Sequence, residues 1–66
     1  MHDADVVFED VLALSDGTAL ICEIQMRRHA IPHHLIRIGS AVRKVGDRGR
    51  LVIPQSLARA LGLVPA

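Results

Sequence analysis

Basic residues crowd one short turn: Arg43, Lys44, Arg48 and Arg50 stand on and around Gly46-Asp47-Arg48-Gly49. Each arginine can hold a phosphate or a carboxylate through two parallel hydrogen bonds. Phosphate contacts make affinity fall steeply with salt, whereas choosing a DNA sequence needs contacts to base edges. Arg27 and Arg28 extend the set if a neighbouring strand carries them past the turn. Arg27, Arg28, Arg43, Lys44, Arg48 and Arg50 are therefore the candidate residues for binding a partner or nucleic acid. The competing reading is a solvated turn kept soluble by its charge.

Other chemistry is poorly supported. Cys22, His29, His33 and His34 could be offered as a metal site, but zinc sites show paired ligands at short spacing. A cysteine inside an apolar strand behaves as a small hydrophobe, and the histidines read as surface residues. "GDRGR" lacks the Gly-Lys-Ser/Thr end that grips phosphate and magnesium in a phosphate loop. No serine has an evident base, and no pair of acids has helical spacing. A chain of 66 residues leaves little room for a pocket of about 300 Å³. The expectation is a non-catalytic protein with no cofactor, no metal and no small-molecule substrate.

Size and composition bound the rest. The chain is one domain at most, and folding would bury only about 60% of its surface. Cys22 is the only cysteine, so no internal disulfide can help, and a reducing compartment is expected. Self-association, as a homodimer or higher oligomer, is the expected source of further stability. Phe8 is the only aromatic residue, so the core must be aliphatic. A surface that stacks successive bases on rings is excluded.

Charge is split along the chain. Residues 1–26 hold six acids and no Lys or Arg, whereas residues 27–66 hold eight basic residues and one acid, Asp47. Such asymmetry suggests an electropositive face for a polyanion, or two halves that pair within a fold or between subunits. Acids occupy the place of a positively charged leader, and no apolar run approaches the ~20 residues of a membrane helix. A soluble, cytoplasmic protein without a membrane partner is expected.

These side chains need elements to hold them. The first five residues read as a disordered start. Val6–Leu14 is rich in strand formers, and Asp16-Gly17 signals a two-residue hairpin turn that would set Leu12 against Ile21. Ala19–Gln25 is the second strand, with Leu20, Cys22 and Ile24 on one face. Gln25-Met26 makes a tight turn without Gly or Asn, and Arg27–Ile31 is the third strand, ended by Pro32. Residues 32–40 form a crossover, helical or irregular. Ala41–Val45 and Arg50–Ile53 make a second hairpin across residues 41–53. Pro54 opens a helix that ends at Gly62, with Leu57 and Leu61 on one face. The fold class is mainly β with a short C-terminal helix, a small bent sheet or partial barrel of about five strands. One echo is internal: Ile31–Val42 and Ile53–Val64 both begin Ile-Pro, and a solution of "Ile-Pro, then turn" can arise twice by convergence.

Val42–Leu63 resembles the AbrB/MazE/SpoVT group of bacterial regulators and antitoxins, through Gly46, Gly49, Arg50, Leu51, Ile53, Pro54, Leu57, Leu61, Gly62 and Leu63. That resemblance implies a swapped-hairpin dimer in which Arg43, Lys44, Arg48 and Arg50 contact duplex DNA. In that group a second hairpin follows the helix, whereas here Val64, Pro65 and Ala66 follow. Ala19–Leu63 is also similar to short phage and prophage proteins, through Ile31-Pro32, Ser40-Ala41-Val42, Gly46–Val52 and Gly62-Leu63 without a gap. Those proteins carry aromatics where this chain has Ala30, Arg43, Ser56 and Leu57, and acids at Arg48 and Arg50. This second resemblance implies an accessory protein of a mobile element that sticks to a host macromolecule. That target would be a protein complex or nucleic acid, including a defence complex such as a CRISPR effector. An AbrB-like DNA-binding regulator and a structural, oligomerising subunit are the alternatives.

Overall fold

The computed structural model describes residues 4–64. Four antiparallel strands and one short helix make up the fold, so the protein is mainly β with a C-terminal helix. The strands are β1 (Asp5–Asp16), β2 (Leu20–Ile24), β3 (Arg27–Ile31) and β4 (Arg48–Pro54), and α1 is Gln55–Ala60. The sheet is open, with strand order β3-β2-β1-β4. Most of the expected start at 1–5 lies outside the described residues. Asp5 is in β1 opposite Pro54, and the Ala4 carbonyl accepts the Gln55 N–H at 2.7 Å.

β1 is twelve residues long and bends at two bulges. At the first, Glu9 and Asp10 interrupt the register between Phe8 opposite Leu51 and Val11 opposite Gly49. Asp10 takes φ 58, a left-handed conformation that Asp tolerates better than most residues. At the second, Leu14 interrupts the pairing with β2. Bulges twist and bend the strand that carries them.

The first hairpin differs from the expected one. Asp16 faces Leu20, and Leu12 faces Glu23 rather than Ile21, so Gly17-Thr18-Ala19 forms a three-residue loop. Both registers keep Ala13 on the core face. Alternation of apolar and polar residues cannot tell apart two registers that differ by two residues, so turn and bulge geometry decide. At Gln25-Met26 the two-residue turn does form. Ile24 faces Arg27, and the two turn residues have φ 53 and 67.

Ala41–Val45, expected as a strand, is irregular, and the 41–53 hairpin is not formed. β4 pairs with β1 instead, which leaves four strands rather than five. Residues 37–42 lie along the outer edge of β4 and satisfy it. Arg37 N–H donates to the Val52 carbonyl at 2.9 Å, and Ala41 N–H donates to the Arg50 carbonyl at 2.8 Å. Ser40 Oγ accepts the Val52 N–H at 2.9 Å and reaches the Val52 carbonyl at 3.3 Å. Gly39-Ser40 can wrap closely there because Gly39 takes φ 102.

The crossover begins as a single 3₁₀ turn, His33–Leu35, and continues irregularly. Pro54 caps α1 rather than occupying its first turn. At the other end, Leu63 N–H reaches the Ala58 carbonyl at 2.9 Å and Gly62 N–H the Arg59 carbonyl at 3.0 Å. With Gly62 at φ 75, this is the Schellman arrangement that Gly-Leu predicts. α1, Ile36 and Val42 cover one face of the sheet, over Phe8, Val11, Ala13, Leu20, Cys22, Ile24, Ile31, Leu51 and Ile53. The core is aliphatic apart from Phe8 and Cys22, and no charged or polar residue is buried among the described residues.

Candidate anion-binding turn

The loop between the crossover and β4 is tied down at its middle. Asp47 Oδ2 accepts the backbone N–H groups of Arg43 and Lys44, each at 3.1 Å. Those two hydrogen bonds, Arg43 first, hold the Asp47 carboxyl below the ordinary aspartate range, and the Lys44 charge adds to them. The turn is then fastened to β1: Ala13 N–H donates to the Asp47 carbonyl at 2.9 Å, and Gly46 N–H to the Ala13 carbonyl at 3.0 Å. Gly46 takes φ 92 and Gly49 φ 138, backbone that side chains with a Cβ rarely adopt. The two glycines therefore absorb positive φ as their spacing suggests.

The six candidate residues do not form one patch. Arg43 and Lys44 are exposed on this loop, with Arg43 Nη2 donating to the Arg37 carbonyl at 3.0 Å. Neither side chain forms an ion pair among the described residues. Arg48 and Arg50 are on β4, and both meet acids at the first bulge of β1. Arg48 lies 3.6 Å from Asp10, and Arg50 lies 3.5 Å from Glu9. Arg37 adds a third pair, with Asp5 at 3.2 Å. All three pairs are exposed, so each is worth at most about 1 kcal/mol. Arg27 and Arg28 are on β3, at the opposite edge of the sheet. Three strand spacings, roughly 14 Å, separate β3 from β4, so the two arginines do not extend the turn's charge. The split between an acidic first half and a basic second half is thus partly neutralised inside one fold.

The histidines scatter. His33 Nε2 lies 2.8 Å from Asp16 and stands beside the first hairpin loop. His29 sits opposite Cys22 across β2 and β3, and its Nε2 is buried without a hydrogen-bond partner. No group of three or more His, Cys, Asp or Glu among the described residues could hold a metal ion. Burial pushes the Cys22 thiol up to about 11. No pocket is found among the described residues, and no described helix is long and apolar enough to cross a membrane.

Sequence reasoning passed over Asp47 and Ser40. A lone acid between two glycines in a basic loop is a signal for a side chain that accepts backbone N–H groups. Ser40 gave no comparable signal, because its partner Val52 is twelve residues away. Comparison with family models, curated proteins and solved structures finds nothing that matches this chain.

Proposed function

We propose that the chain is a non-catalytic binding module of the accessory kind found in phages and other mobile elements. It docks the Arg43–Lys44 turn on an anionic surface of a host macromolecule and so occludes that surface. One observation carries the reading: Asp47 pins the backbone of both residues, while neither side chain forms an ion pair among the described residues. A loop whose backbone is already held loses less freedom on binding, and ordering of loops is part of the cost of association.

The test is a pull-down from host lysate with the wild-type chain and the Arg43→Glu/Lys44→Glu variant. Loss of the partner from the variant supports the reading, and equal capture by both overturns it. Retardation of duplex DNA that fades with salt would transfer the reading to an AbrB/MazE-like DNA-binding regulator, since counterion release governs such complexes. Oligomers that grow with concentration and vanish in high salt would make the chain a structural subunit instead.

A further inference from the structure

The two edges of the sheet are treated differently. The outer edge of β4 is covered by residues 37–42, as described above. On β3 the register places Ile24 opposite Arg27, Cys22 opposite His29 and Leu20 opposite Ile31. Residues flanking a two-residue hairpin turn exchange both hydrogen bonds, and the pattern alternates from there. Arg27, His29 and Ile31 therefore bond inward to β2, while the N–H and C=O of Arg28 and Ala30 point outward. Among the described residues no backbone group meets them.

The side chains along this edge carry a charge signature. Arg27 and Arg28 are exposed and consecutive, so they project to opposite faces of the sheet. Neither forms an ion pair among the described residues. A second copy of β3 paired with Arg28 opposite Arg28 would bring four arginines together on two adjacent strands, which opposes self-pairing in that register. A strand with two consecutive acids offers one carboxylate to each arginine. Met26, 93% exposed at the neighbouring turn, adds a flexible apolar contact of the sort that adapts to varied partners.

We propose that the outer edge of β3 accepts, as a fifth strand, an extended segment of a partner protein bearing two consecutive acidic residues. Main-chain hydrogen bonds at Arg28 and Ala30 would hold the segment, and the two arginines would select it. This surface is separate from the Arg43–Lys44 turn and does not depend on that reading.

The probe is the peptide acetyl-TSVDEVTS-amide, with acetyl-TSVKKVTS-amide as control, titrated into the full chain and followed by amide NMR. The acidic peptide should bind with a Kd below about 1 mM, shift the Arg28 and Ala30 amides and slow their exchange. The lysine peptide and the Arg27→Gln/Arg28→Gln variant should each weaken binding roughly tenfold or more. Ala30→Pro removes an outward donor without touching a bond to β2, and should abolish binding; the double arginine variant remains decisive if that one misfolds. Arg43→Glu/Lys44→Glu should bind the peptide normally. The proposal is overturned by equal binding of both peptides, by shifts centred elsewhere, or by no binding at millimolar peptide. Protection of Arg28 and Ala30 that grows with protein concentration alone would assign the edge to a second copy and overturn it too.

Discussion

At Asp47 one carboxylate oxygen serves two backbone donors, and that contact decides where two cations stand. The folded-state pKa of Asp47 is lowered. Its contribution to stability is therefore complete above the ordinary aspartate range and is lost as pH falls through the lowered value. Asp47→Ala should lower stability at neutral pH and flatten the acid limb of a stability-against-pH curve, measured by urea unfolding. Cys22 makes an opposite kind of prediction. With its thiol pushed up to about 11 and its side chain fully buried, almost none is thiolate at neutral pH, and the thiolate is the reactive form. A thiol reagent should leave the native protein unmodified and label it at once in denaturant. Cys22 was readable from the sequence, because strand alternation set it between Leu20 and Ile24 on the apolar face. The partners of Arg48 and Arg50 were not readable. Pairing them with Asp10 and Glu9 needs a bulge in a strand nearly forty residues earlier, and periodicity does not report bulges.

Elements carry the next set of consequences. The Gln25-Met26 turn uses positive φ twice without a glycine, and each such residue costs roughly 1–2 kcal/mol. Replacing Met26 with Gly should raise stability by about 1 kcal/mol, after allowing for the extra freedom glycine gives the unfolded chain. The denaturation midpoint would report it. Ser40→Ala acts in the other direction. It strands the Val52 N–H at a part-buried position, a loss of about 1–3 kcal/mol, and should speed hydrogen exchange at the Val52 amide. Strand and helix endings were legible. Both Ile-Pro steps end a strand and start a helical turn, at Pro32 and Pro54, and Gly62-Leu63 closes α1. Connectivity was less so. Residues 41–45 look like a strand by composition, yet only Ala41 and Val42 reach the outer edge of β4, both at the Arg50 carbonyl, before the chain turns to β1 at Gly46 and Asp47.

For the whole molecule, the radius of gyration of 10.7 Å is close to the ~10.8 Å expected of a globular chain this long. Size still limits stability. A domain of this length has roughly 3–10 kcal/mol in total. Leu51, fully buried beneath the helix side of the sheet, should cost about 2–5 kcal/mol when cut to Ala. Urea unfolding followed by circular dichroism should show that loss as a lowered midpoint. Long-range charge was the global feature read best, since the acidic and basic halves do meet across β1 and β4. Its neutralisation leaves fewer free cations than the composition suggests.

The asymmetry of the sheet's edges has a further consequence. A sheet with two bare edges can add strands without limit, which is the route to fibres. Here residues 37–42 stopper one side, so the sheet can grow in one direction only. Two chains joined through β3 would leave no bare edge, so self-association there would stop at a pair.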